Sequence, residues 1–176
     1  MRIAAFSKTY GDRTVLRTPE LELIKGKIYA VIGPNGSGKS TFAKIIADVL
    51  TSDQKIPLIT DEEVVRYMPQ KSYPFRMSVE KNILLSGGDP EEAKHMMEIL
   101  NLSALSRQKI SSLSGGETAK MALVRVLMRP CDLLILDEPT AAMDMESAMA
   151  AEKMVRDYRD RSGCTVLFIR WWNGRL

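Results

Sequence analysis

The run Gly33-Pro34-Asn35-Gly36-Ser37-Gly38-Lys39-Ser40 constrains this chain more than any other stretch. It fits G-x-x-x-x-G-K-[ST], a loop whose glycines let successive backbone N–H groups surround an anion. Lys39 adds a point charge that can reach terminal phosphates, and Ser40 offers a hydroxyl to Mg²⁺. Such a loop should follow a strand and open a helix. Lys27–Ile32 reads as a short buried strand, and Thr41–Leu50 has the spacing of an amphipathic helix whose N-terminus faces the phosphates. A Gly/Ser turn matching by accident is disfavoured by these correct flanks.

At 176 residues the chain is one domain, or one domain with a small inserted lobe, and it can bury a sizeable core. Apolar residues make up 45% and charged residues 27%, the mixture of an ordinary globular protein. The net charge, 25 − 22 = +3, is scattered and too mild to imply nucleic-acid binding. Cys131 and Cys164 form no metal or redox motif and read as reduced thiols of a cytosolic protein. Neither a secretory signal nor a bilayer-spanning run is present, so membrane association is expected to go through a partner.

In chain order, Arg2–Phe6 and Thr14–Leu16 read as strands around a turn at Gly11-Asp12, and Leu21–Ile24 as a third apolar stretch. Together they predict an antiparallel edge leading into the core. Tyr10 sits in the turn, where it could stack on a base or be an ordinary half-buried loop tyrosine. After the first helix, Thr51–Lys55 is loop-like, Ile56–Thr60 could be a strand, and Val64–Met68 leads to Pro69-Gln70. A glutamine just past a strand can orient water or touch a metal.

Ser78 can cap a helix over Val79–Leu85, which Gly87-Gly88 stops. Asp89-Pro90-Glu91-Glu92 starts another helix that runs to about Leu100 and carries His95, the chain's one histidine, to which no chemistry is assigned. Met96 and Met97 read as packing residues. The stretch from about Ser72 to Ser112 reads as a helical insert. Leu113-Ser114-Gly115-Gly116-Glu117 then precedes a helical spacing over Thr118–Met128, ended by Arg129-Pro130. This is either a second anion-binding device or a plain capping turn.

Asp132–Leu136 is a buried strand that delivers Asp137 and Glu138 to its C-terminal end, where open α/β sheets bind ligands. Adjacent carboxylates alternate faces, so one can hold metal-bound water and the other polarise a nucleophilic water. Asp144 caps a helix over about Met145–Arg161, Ser162-Gly163 ends it, and Thr165–Ile169 is a last buried strand. The tail Arg170-Trp171-Trp172-Asn173-Gly174-Arg175-Leu176 follows.

Four motifs stand in order: G-P-N-G-S-G-K-S-T, M-P-Q, L-S-G-G-E and L-L-I-L-D-E-P-T. Together they resemble the ATP-binding cassette (ABC) ATPases over nearly the whole chain. The resemblance implies a P-loop α/β fold: a mainly parallel sheet flanked by helices, an antiparallel N-terminal edge and a helical subdomain at about 72–129 inserted in one cassette. It implies ATP and Mg²⁺ as cofactors. Tyr10 would stack on adenine, and Gly33, Asn35, Gly36, Ser37, Gly38, Lys39, Ser40 and Thr41 would hold the phosphates. Ser40 and Gln70 would ligate Mg²⁺, Asp137 would reach it through water, and Glu138 would activate the attacking water. Ser114, Gly115 and Gly116 would close on the γ-phosphate held by a second ABC subunit, identical or not, in a head-to-tail dimer. The stretch Ser78–Ile83 resembles the segment that touches an integral membrane permease, and Ala141–Asp144 the loop that crosses the dimer interface. The subunit would lie in the cytoplasm on the inner face of the cell membrane. One compact cassette on its own chain fits a prokaryotic transporter, and Asn101-Leu102-Ser103 leading to L-S-G-G-E is more like importers than exporters.

The sequence also departs from the family. A histidine normally follows the last core strand, and Trp171 stands at that position. His95 lies in the helical lobe and cannot replace it. ATP binding is expected to survive, and hydrolysis by the isolated protein to be weak. The family usually continues with further strands and a helix, so the tail reads as a short variant, a truncation or an altered frame. Two competing readings remain: a soluble ABC ATPase acting on nucleic acid or ribosomes, and a nucleotide-binding regulator without catalysis. The first should bring tandem cassettes, a coiled coil or a basic patch, and none is seen.

Overall fold

A computed structural model describes residues 1–59 and 62–171. The chain divides into two compact units: Met1–Tyr67 with Cys131–Glu138 and the chain from Gly163, and Met68–Pro130 with Pro139–Ser162.

In the first unit, β1 (Arg2–Ile3) pairs antiparallel with β4 (Leu21–Glu22), and β2 (Phe6–Tyr10) pairs antiparallel with β3 (Arg13–Thr18). The expected single strand Arg2–Phe6 is broken because the Ala4 N–H leaves the pairing and donates to Leu58 O at 3.1 Å. The turn at Gly11-Asp12 closes the β2–β3 hairpin, and Tyr10 ends its first strand rather than lying in the turn. Asp53 staples the following loop to this hairpin by accepting from Ser7 Oγ (2.9 Å), Thr9 N (3.0 Å) and Thr9 Oγ1 (3.0 Å).

The central sheet has the order β5 (Ile28–Gly33), β8 (Thr165–Trp171), β7 (Leu133–Asp137), β6 (Val65–Met68). Strands β5 and β7 both run parallel to β8. Strand β7 is buried at every position, as its apolar run predicts for a central strand. Strand β5 is not: Ile28 is 38% and Ile32 52% exposed. It lies at one edge of the sheet, and its alternating exposed and half-buried positions leave one face of the strand uncovered. Helix α1 (Lys39–Ile46) begins two residues before the expected Thr41 and ends four before Leu50. Ala47 caps it, and Asp48, at φ 54°, turns the chain away. No strand forms over 56–59. Leu58 instead drops into the core with Ile3, Phe6, Phe42, Ile46, Leu133, Ile135, Leu167 and Ile169. Phe6 and Phe42 stack at 5.8 Å between ring centroids.

The second unit is helical: α2 (Val79–Leu84), α3 (Pro90–Ile99), α4 (Gly115–Leu127) and α5 (Met145–Ser162). The expected caps form. Ser78 accepts from Lys81 N (3.3 Å), Asp89 from Glu91 N (3.1 Å) and Asp144 from Ser147 N (2.8 Å). Ala93, Met96 and Met97 of α3 are buried while His95 faces outward, as a 3.6-residue period requires. Asn82 is fully buried and pins the preceding turn. It accepts from Phe75 N (2.9 Å) and donates to Phe75 O (3.0 Å) and Ser78 O (3.0 Å). Both cysteines are buried. Among the described residues, no helix is long and apolar enough to cross a membrane.

Candidate nucleotide site

The sheet register explains how separate motifs reach one edge of the first unit. Gly33 ends β5 opposite Trp171, and Asp137 ends β7 opposite Ile169. One strand separates β5 from β7, so the two run about 10 Å apart. The phosphate loop and the paired carboxylates therefore emerge from the same C-terminal edge of one parallel sheet. Strand β8 continues through Trp171 rather than stopping at Ile169, so Trp171 is the strand's last residue rather than the one just past it.

The loop is built around its glycines and lysine. Gly38 is the N-cap of α1 at φ 91°, a conformation open to glycine, and a Cβ there would sit 3.0 Å from Val15 O. The β3 backbone is thus packed directly on the loop. No side chain caps α1. The N–H groups of its first turn, from Lys39, Ser40 and Thr41, have no partner within an α-helix and form an anion-binding end. The Lys39 ammonium curls over the loop and donates to Gly33 O and Pro34 O, both at 2.9 Å. Positive charge and helix terminus coincide, which suits a polyphosphate. Asn35, Gly36 and Ser37 are exposed at the outer turn, with Ser37 N donating to Pro34 O at 3.3 Å.

Asp137 and Glu138 differ in environment. Asp137 is 1% exposed, and its Oδ2 accepts from the Tyr67 hydroxyl at 3.2 Å. Its Oδ1 is buried without a hydrogen-bond partner. Glu138 is half-buried at φ 49°, with its N–H donating to Ile169 O at 3.0 Å. The backbone therefore bends just as the second carboxylate leaves the strand, a strained geometry of the kind that clusters at functional sites. A buried carboxylate oxygen with no partner is costly. It fits a hydrated divalent cation. Burial, then the Asp137 charge, then their hydrogen bond push the Tyr67 phenol well above its ordinary value. Sequence reasoning missed Tyr67. Its signal was a polar-tipped aromatic on a mostly apolar strand, which needs a partner for its hydroxyl.

Tyr10 is 52% exposed, and the Lys8 ammonium lies 5.3 Å from its ring centroid. Its face is thus already part of a cationic contact.

Gln70 and Ser114–Gly116 belong to the second unit. Gln70 is exposed just beyond β6. Helix α4 begins at Gly115, three residues earlier than the expected Thr118, so the glycines form its first turn. Ser114 and Glu117 make a reciprocal capping box: Ser114 N donates to Glu117 Oε2 (2.7 Å) and Glu117 N to Ser114 Oγ (3.2 Å). The Ser114 N–H, then its hydroxyl, hold the Glu117 carboxyl below the usual carboxylate range. A Cβ on Gly116 would lie 2.7 Å from Ala142 O, so the 139–144 loop packs on this turn.

The family model described as ABC transporter matches residues 16–141. The chain belongs to this family. Among curated ABC relatives, the zinc import ATP-binding protein ZnuC of Chelativorans sp. (strain BNC1) is 37% identical over 161 residues. That match covers 89% of this chain and 57% of ZnuC, so this chain spans little more than half of that relative. The tungstate uptake system ATP-binding protein TupC of Peptoclostridium acidaminophilum is 36% identical, with 95% of this chain and 85% of TupC covered. Among solved structures, a chain from the complex of archaeal ribosomal stalk protein aP1 and ribosome recycling factor aABCE1 superposes with a TM-score of 0.83 at 27% identity. It covers 96% of this chain and 33% of that one. A bacterial Atm1-family ABC exporter with ATP bound shares the fold at a TM-score of 0.81 and 21% identity. The fold is therefore the ABC ATPase α/β fold.

Proposed function

We propose that this chain binds MgATP at the edge of its parallel sheet and serves as the ATP-binding, ATP-hydrolysing subunit of an ABC-type membrane importer. The observation that carries the reading is that the Gly33–Thr41 loop and the Asp137-Glu138 pair leave the same C-terminal edge of one parallel sheet. The importer assignment draws on relatives named for zinc import and tungstate uptake.

In this reading, Lys39 and the N–H groups of α1's first turn hold the β- and γ-phosphates, and Tyr10 stacks on the adenine. Ser40, Gln70 and, through water, Asp137 hold Mg²⁺, which neutralises phosphate charge when bound. Glu138 takes a proton from the attacking water at its carboxylate. Ser114, Gly115 and Gly116 close on the γ-phosphate held by a second cassette, identical or not, in a head-to-tail dimer. A permease follows the opening and closing, and holds the subunit on the inner face of the membrane. The imidazole usual after the last strand is replaced by Trp171, so hydrolysis by the isolated chain is weak. A catalytically silent regulator is the second reading, and the same replacement favours it.

Titration calorimetry with ATP and Mg²⁺ tests the core of this. Binding that falls at least tenfold in Lys39→Ala supports it, and unchanged affinity overturns it. Single-turnover hydrolysis no faster than in Glu138→Gln is expected. Vigorous turnover that depends on Glu138 would show that the missing imidazole is compensated.

A further inference from the structure

Tyr67 is not among the residues assigned above to nucleotide or metal, yet it makes the described hydrogen bond to Asp137. It lies on β6, next in the sheet to β7, which ends in Asp137. The Tyr67 hydroxyl donates to Oδ2 at 3.2 Å, while Oδ1 is buried with no hydrogen-bond partner. A carboxylate 1% exposed to solvent has little water to define its rotation. The phenol therefore makes the two oxygens inequivalent, one held by protein and one left for a ligand. A hydroxyl on a rigid strand can do this. A phenylalanine would keep the packing and lose the orientation.

We infer that Tyr67 is a positioning residue for the divalent cation: it fixes the Asp137 carboxylate through Oδ2 so that Oδ1 meets the cation's water shell. This rests on the MgATP reading above. Donors that orient ligating carboxylates typically change metal affinity about 10–100-fold when removed.

The test uses the full chain, a fluorescent ATP analogue and two metal probes, Mg²⁺ and Mn²⁺. Analogue affinity is measured in EDTA and across a metal titration, and free Mn²⁺ is counted by electron paramagnetic resonance. Tyr67→Phe should leave affinity in EDTA within twofold and raise the half-effective metal concentration about tenfold. In an Asp137→Asn background, the same Tyr67→Phe change should have no further effect on metal. An unchanged metal titration in Tyr67→Phe would overturn the role. So would an equal loss in EDTA, or an undiminished effect in Asp137→Asn, because each points to general packing. If the unsubstituted chain binds the analogue in neither condition, the nucleotide reading itself fails, a result distinct from all three.

Discussion

Replacing Gly38 with alanine separates two costs that the phosphate loop imposes on its backbone. At φ 91° a side chain is strained, by about 1–2 kcal/mol. The alanine Cβ would also stand 3.0 Å from the Val15 carbonyl oxygen, a backbone atom of β3 that cannot swing away. Alanine recovers about 0.4–1 kcal/mol by restricting the unfolded chain. The net expectation is a loss of about 2 kcal/mol, or roughly 4–8 °C in melting temperature for a chain of this size. Gly36→Ala is the internal control. It lies in the same loop at φ 78°, but a Cβ there meets nothing within 4 Å. Strain alone should cost it about 0.5–1 kcal/mol. Urea denaturation without nucleotide measures both. If Gly38→Ala loses no more than Gly36→Ala, the close packing of β3 on the loop has no energetic weight and the reasoning is wrong.

Asn82→Ala should cost about 1–3 kcal/mol, because it strands the part-buried Phe75 N–H and the carbonyls of Phe75 and Ser78 that the amide now satisfies. Equilibrium denaturation, together with faster proteolysis between Lys71 and Ser78, would show it; an unchanged profile would mean that the turn holds itself. Glu138→Gln should keep ATP affinity within twofold, since the phosphates are held by other groups; a tenfold loss in calorimetry would place Glu138 in binding instead. The Glu117 carboxyl is held low by its bonds from Ser114, so its folded value lies below its unfolded one. Its stabilisation is full above about pH 4.3 and is lost as pH falls through the folded value. Amide exchange over 115–118 should therefore lose protection on acidification, and Glu117→Gln should flatten that dependence.

Much of the site was readable because its chemistry is local in sequence. A glycine-rich loop between a strand and a helix, or a Ser-Gly-Gly-Glu turn opening a helix, needs only neighbours along the chain. The caps at Ser78, Asp89 and Asp144 were legible for the same reason. Boundaries were less so. Helix α4 takes in Gly115 and Gly116 although glycine is a poor helix former, because the Ser114–Glu117 box satisfies the first turn. The run Ile56–Thr60 could be a strand on its pattern alone, but Leu58 fills the core from irregular backbone whose carbonyl serves Ala4.

The sequence by itself determined the glycine-rich loop between strand and helix, the adjacent carboxylates at a strand end and the family, since each is carried by short runs with their own physical logic. Tertiary structure alone decided that β5 is an exposed edge, that Val15 crowds Gly38 and that Tyr67 meets Asp137. These pairs are far apart along the chain. What joins them is strand order and register, which follow from the packing of the whole sheet and from no single stretch of residues.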